Sequence, residues 1–143
     1  MTSPRNRLIH SIMAEFAPRH VGVPRILLPG RKLDRMALGK LGVPCATPVP
    51  APDVVIHDLA RDWFFLIDAV TTLRHMDETR RNALAAHFAP SRKGLIFFSA
   101  FADGAAYSRA AETIAWETNV WIAAAPDHMI HYNGERFLGP RKS

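Results

Sequence analysis

The stretch "PAPDVVIHDLARDWFFLIDAVTT" occupies residues 50–72 and holds two apolar runs, each carrying one acid at an end. Asp53 opens Val54-Val55-Ile56, and Asp68 closes Trp63-Phe64-Phe65-Leu66-Ile67. The polar residues 58–62 between them suit a hairpin, so strands are predicted over 53–57 and 63–70. Both runs are apolar at successive positions, which predicts strands covered on both faces. In such a hairpin the start of the first strand lies beside the end of the second, so Asp53 and Asp68 can face one another. Taken singly, Asp53 reads as a turn residue after Pro52 and Asp68 as a strand-end residue. As a pair they repel unless a cation lies between them. Hard cations such as Mg²⁺ favour one or two carboxylates completed by water and phosphate oxygens. Two acids on adjacent strands of a basic chain are what metal-assisted phosphodiester hydrolysis requires.

Working outward, residues 5–17 place Leu8, Ile9, Ile12, Met13 and Phe16 at helical spacing, with Pro18 expected to close the helix. Arg25-Ile26-Leu27-Leu28 predicts a short strand ended by Pro29-Gly30, and 32–41 a short helix stopping at Gly42. The proline-rich 44–52 reads as an extended connector, too short to separate two domains. Asp77 is a candidate N-cap for a helix over 78–88, with Leu84 and Phe88 on one face. Strand 95–100, helix 105–117 and strand 120–125 follow, then a hairpin around Asn133-Gly134. Strands alternating with helices in the second half imply parallel pairing, and the hairpin at 58–62 adds antiparallel pairing. The expected architecture is α/β: a central mixed sheet flanked by helices.

The chain has 143 residues and a mass of 15.9 kDa, which fits a single domain over 1–143. No apolar run approaches the ~20 residues of a bilayer span, so no membrane partner is expected. No signal peptide is read at the start, and the one cysteine, Cys45, excludes an internal disulfide and a cysteine zinc cluster. A cytoplasmic setting is the expectation. The net charge of +5 and a pI near 10.0 favour polyanionic partners. The basic residues are scattered in small clusters such as Arg5/Arg7, Arg80/Arg81 and Arg92/Lys93. Trp116, Trp121 and Phe101 are expected to build the core, although a tryptophan near a helix end could serve a dimer face. His128 and His131 lie three apart with no third ligand nearby, which argues against zinc.

The wider text resembles a known family. "PDVVIHD…WFFLIDAVTT", "GLIFFSAFAD", "IAWETNVWIA" and "PDHMIHYNGERFLGP" are similar to the catalytic domain of BsuBI/PstI-type type II restriction endonucleases, within the PD-(D/E)xK nuclease superfamily. The likeness runs from "RLIHSIMAEFAPR" near residue 7 to Pro140. It implies a restriction-endonuclease-like fold and a Mg²⁺-dependent endonuclease, with Mn²⁺ as a substitute, acting on double-stranded DNA as a homodimer. Asp53 matches the first motif acid and Asp68 the second, where the family more often has glutamate. Glu15 matches an acid of the family's first helix and is a candidate metal ligand beside a solvated-surface reading.

The motif lysine falls at Val70, as the family's own acid-Ala-Val-Thr pattern implies. Another group must then orient water or stabilise charge on the phosphate. Lys93 at the head of the next strand is the first candidate, followed by Arg80, Arg81 and Lys32. Arg80, Arg81, Lys32, His131, Asn133 and Arg136 are the candidate DNA contacts. Relatives carry a Gly-Asp-Thr-like turn where this chain has Leu28-Pro29-Gly30. Full-length relatives also carry an N-terminal recognition region, expected to be absent here. The resemblance thus leaves three readings: a standalone nuclease, an inert binding or assembly module derived from one, and a split subunit with a separate recognition chain.

Overall fold

The structure, a computed structural model, describes residues 3–30, 32–44, 51–72 and 75–132, with the backbone alone for 32 and 33. The helical segment at the start comprises α1 (Pro4–Ser11), a π-helical turn (Ile12–Phe16) and α2 (Ala17–His20). Strand β1 (Pro24–Leu28) and helix α3 (Lys32–Lys40) follow. The hairpin is β2 (Val54–Asp58) and β3 (Trp63–Ala69). Then come α4 (Glu78–Phe88), β4 (Gly94–Phe101), α5 (Gly104–Ala110), β5 (Thr118–Ile122) and β6 (Met129–Tyr132). Among the described residues the six strands form one sheet in chain order, β1-β2-β3-β4-β5-β6. Pairs β3–β4 and β4–β5 are parallel and the other three antiparallel, which is the mixed sheet expected from the sequence.

Alternation along the strands divides the core into two faces. Val54, Ile56, Phe65, Ile67, Phe98 and Trp121 pack under Leu8, Ile12 and Phe16 of the first helical segment. Val55, Phe64, Leu66 and Phe97 point the other way, under Leu38 of α3 and Leu84 and Phe88 of α4. Because β2 and β3 are covered on both sides, neither run can afford polar residues at alternate positions. Phe16 sits at the centre of the first face, edge-on to Phe98 at 4.8 Å, Trp121 at 5.6 Å and Phe65 at 6.0 Å between ring centroids.

Pro18 does not close the first helix; the chain continues helically to His20. Proline lacks an N–H and its ring crowds the carbonyl four residues back. The π turn immediately before it widens the helix, with Ala17 N–H donating to Ile12 O rather than to Met13 O. The helical prediction over 105–117 also shortens: α5 ends at Ala110 and a 3₁₀ turn, Ala111–Thr113, takes over. That leaves Trp116 exposed (66%), whereas Trp121 and Phe101 are buried as expected. The last hairpin joins β5 to β6 through residues 123–128, and Asn133-Gly134 lies outside the described residues. Gly42 stops α3 as predicted; its φ of +99° is left-handed, and a Cβ there would approach Pro90 O to 2.9 Å.

The hairpin turn is fastened by the buried Asp58. Its carboxylate accepts from Gly22 N–H and Val23 N–H at 3.1 Å, Ala60 N–H at 3.0 Å and Arg61 Nε at 2.8 Å. Burial alone would raise the Asp58 pKa, but these four donors outweigh it and hold the carboxyl well below its ordinary value. This acid is structural. It closes the end of the sheet opposite Asp53 and Asp68.

Candidate active site

Register brings the two acids together. Val54 pairs with Ile67, so one step outward sets Asp53 against Asp68 across the antiparallel pair. Both side chains are almost fully buried, 1% exposed each. One Asp53 oxygen accepts the Ala69 N–H at 2.8 Å, which ties the acid to the last residue of β3. Asp68 follows Leu66 by two residues on β3 and so faces α4. It also sits beside Ser99 on the parallel neighbour β4, at the carboxyl ends of these strands.

Each acid is met by an arginine. Arg5, in the first turn of α1, donates from Nη2 to Asp53 Oδ1. Its position follows from local sequence: Ser3 caps the helix by accepting Asn6 N–H at 3.1 Å, and Pro4 occupies the first turn. Arg80, in the first turn of α4, grips Asp68 with both arms, Nε to Oδ2 and Nη2 to Oδ1 at 2.9 Å. The same Nη2 donates to Ala51 O at 2.9 Å. Asp77 caps α4 by accepting Arg80 N–H at 2.8 Å, and Met76 N–H donates to Ser99 Oγ at 2.9 Å. These bonds pin the start of α4 above Asp68.

The four charges form one electrostatic unit. The hydrogen bond and the charge of Asp53 raise the Arg5 pKa, and Asp68 raises it further. The Arg80 pKa is raised chiefly by its bond to Asp68; burial opposes this, and the charges of Asp68 and Asp53 add to the rise. Each guanidinium therefore feels both carboxylates.

A cleft of about 660 Å³ opens beyond the carboxyl ends of β3 and β4, lined among others by Pro4, Val70, Thr71, Thr72, Asp103 and Arg109. Neither acid lines it, but Pro4 and Val70 bring it within two residues of Arg5 and Asp68 along the chain. The crevice beyond the carboxyl ends of parallel strands is a common place for ligands in α/β sheets.

The structure does not bring the other predicted residues to this place. Lys93 lies at the opposite end of β4: Gly94 pairs with Trp63 while Ser99 pairs with Asp68, five residues or about 17 Å along the strand. There its Nζ is ion-paired with Asp62 at 2.8 Å. Glu15 is separated from Arg5 by ten residues of helix, about 15 Å. It pairs instead with Arg19, which also bonds Asp127 at 2.7 Å. Arg81 is buried and donates to Trp116 O at 2.7 Å and Asn82 Oδ1 at 2.8 Å, which ties α4 to the segment before β5. His131 is exposed on edge strand β6, bonded to Asn119 Oδ1 at 2.7 Å, with its pKa lowered by desolvation. It lies three strands from Asp68. Asn133 and Arg136 fall outside the described residues, as does the side chain of Lys32.

Sequence reasoning missed Arg5 and Ser99. The Ser3-Pro4 helix start was the one local signal for Arg5, since it fixes where the first helical turn lies. Nothing in the sequence alone paired that turn with Asp53.

The donor set suits a divalent hard cation. Two buried carboxylates on adjacent strands supply oxygen ligands, and no group of three or more His, Cys, Asp or Glu residues arranged for a metal occurs among the described residues. Water and phosphate oxygens would complete such a shell, as Mg²⁺ prefers.

Comparison with known proteins finds relatives of the chain and of its fold. The chain is 39% identical over 141 residues to the type II restriction enzyme BsuBI of Bacillus subtilis, covering 94% of this chain and 45% of the relative. It is 34% identical over 87 residues to the type II restriction enzyme AplI of Arthrospira platensis, covering 61% of this chain and 27% of that one. The structure of the SdaI restriction endonuclease superposes with a TM-score of 0.82 at 36% identity, covering 97% of this chain and 46% of that chain. This chain thus spans less than half the length of these relatives. The BsuBI/PstI restriction endonuclease domain matches residues 1–135, and the chain belongs to that family.

Proposed function

We propose that this chain hydrolyses phosphodiester bonds in double-stranded DNA, with Asp53 and Asp68 as the carboxylates that hold Mg²⁺, or Mn²⁺ in its place. The observation that carries the reading is the register: two buried acids opposed on adjacent strands beside an open cleft. Asp53 and Asp68 would hold the divalent ion, which when bound would supply Lewis-acid polarisation of the phosphate and an activated water. Arg80 takes the work of the motif lysine. Its fork, held on Asp68 in the structure, lies beside the acids, and once released from them it would bind a phosphate oxygen as negative charge builds there. Arg109 and the Thr71-Thr72 turn offer the neighbouring backbone a cation and two hydroxyls along the cleft. Homodimers cutting both strands, and a recognition region or partner subunit choosing the site, complete this reading. A cytoplasmic setting fits it; no helix among the described residues is long and apolar enough to cross a membrane.

The test is plasmid nicking by the purified protein in Mg²⁺, Mn²⁺, Ca²⁺ or EDTA. Cleavage in Mg²⁺ or Mn²⁺ is expected, and Asp53→Ala or Asp68→Ala should lower it by about a hundred- to a thousandfold. Cleavage that survives both substitutions would remove the acids from the mechanism.

A second reading, an inert assembly or split-subunit module, is favoured by Val70. This residue stands where the superfamily lysine falls and is buried in a cluster with Phe101 and Val120. It predicts duplex binding without nicking under every ion.

A further inference from the structure

All four carboxylate oxygens of the acid pair already accept a hydrogen bond. Asp53 Oδ1 takes Arg5 and its Oδ2 takes Ala69 N–H; Asp68 Oδ1 and Oδ2 take the two arms of Arg80. The pair carries two negative charges and the arginines two positive ones, so the cluster is neutral within itself. A divalent cation and the guanidinium groups therefore compete for the same oxygens. Two cationic forks beside a divalent ion repel it at short range and low dielectric, so each weakens the hold of the other on the acids. Arg5 can leave readily: its side chain is 54% exposed and sits in the first turn of a helix, next to the cleft. Arg80 is 15% exposed, in the first turn of α4, and leaves by giving up its bonds to Asp68 and Ala51 O.

We infer that Arg5 and Arg80 are exchange ligands: they neutralise the acids until a divalent ion binds, and are then released to bind DNA phosphate. Resting on the metal-site reading above, this adds Arg5 as a phosphate-binding residue and makes ion and DNA binding mutually reinforcing. Each ion that enters frees two cations for the duplex, and each phosphate that draws an arginine away uncovers a carboxylate. By linkage the two gains are equal.

The experiment measures Mn²⁺ binding by electron paramagnetic resonance on the full chain, for wild type, Arg5→Gln, Arg80→Gln, the double variant and Asp53→Asn/Asp68→Asn. Removing a competing charge-assisted bond should tighten Mn²⁺ about tenfold or more for each arginine. Melting temperatures in EDTA and in Mn²⁺ keep the test independent of folding. The arginine variants should melt lower than wild type in EDTA and gain more from Mn²⁺. A purely structural arginine would lower both melting points alike and leave the Mn²⁺ affinity where it was; that result overturns the inference.

Duplex binding by anisotropy gives the other half. Replacing EDTA with Ca²⁺ should strengthen binding of a short mixed-sequence duplex more in wild type than in the double variant. An equal gain, or none in wild type, overturns the release to phosphate. If instead the Asp53→Asn/Asp68→Asn protein binds Mn²⁺ as tightly as the arginine variants, the acids are not the ligands and the metal-site reading itself fails. Acid-dependent binding with no tightening on arginine removal sinks the exchange alone.

Discussion

Four aspartates occupy or adjoin the β2–β3 hairpin, and their surroundings give them different tasks. Asp58 and Asp62 stand at the turn. Asp58 spends its lone pairs on three backbone N–H groups and Arg61, and Asp62 bridges His57 and Lys93. Asp53 and Asp68, at the other end, meet two movable arginines and an open cleft. The sequence placed Asp53 near Asp68, but a turn spanning all of 58–62 would set Asp53 against Ile67; it is the pairing of Asp58 with Trp63, which shortens the turn to 59–62, that makes the two acids oppose. Sequence reasoning assigned Lys93 to the wrong end, because a lysine one residue before a parallel strand lies at that strand's start, whereas Asp68 is near the end of its own. Asp58 offers a pH test. Its folded pKa is depressed, so its contribution is complete above the unfolded value of about 3.9 and is lost as pH falls toward the folded one. Asp58→Asn should cost about 2 kcal/mol in urea unfolding at pH 7. The gap to wild type should begin to narrow only below about pH 4 and shrink further as pH falls toward the depressed folded value.

At the scale of elements, the first helical segment is a strap laid across one sheet face. Its hold depends on Phe16, whose ring meets Phe65, Phe98 and Trp121 edge-on. Phe16→Ala should lower stability by about 3–5 kcal/mol, read as the midpoint of denaturant unfolding. The strap's apolar spacing was legible in the sequence, as were α3, α4 and five of the six strands, because periodicity and caps are local signals. The passage through Pro18 was not legible: a π turn has no residue signature, and proline read locally means a stop. The end of α5 at Ala110 was equally hidden, since Ala111, Glu112 and Thr113 are acceptable helix residues. Strand β6 falls where the first arm of a hairpin around Asn133-Gly134 was expected, but its partner is the preceding strand β5, reached through residues 123–128 that carry no Asn-Gly turn signal.

For the whole molecule, the surplus of positive charge is spread over the chain, yet the fold gathers part of it where the strands end. Arg5 and Arg80 flank the acids and Arg109 lines the cleft. The two flanking arginines are balanced by the acids they bond, so of these three only Arg109 offers the cleft a positive charge not already set against that pair. Arg109 tests the course of the duplex. If it neutralises one phosphate, Arg109→Gln should make the slope of log K against log salt shallower by about 0.9. Its melting temperature should stay unchanged, since the side chain is exposed. A slope equal to wild type would route the duplex elsewhere.

The π turn also has a geometric meaning. It accommodates one residue more than an α-helix would between the same two turns. Everything before it is thereby rotated about the helix axis by roughly 100° relative to an uninterrupted helix anchored at α2. Phe16 fixes one end in the core while Arg5 points at Asp53 from the other, so the bulge works as a phase-setting joint. The angle at which the guanidinium meets the acids is set at a place some three turns away from them.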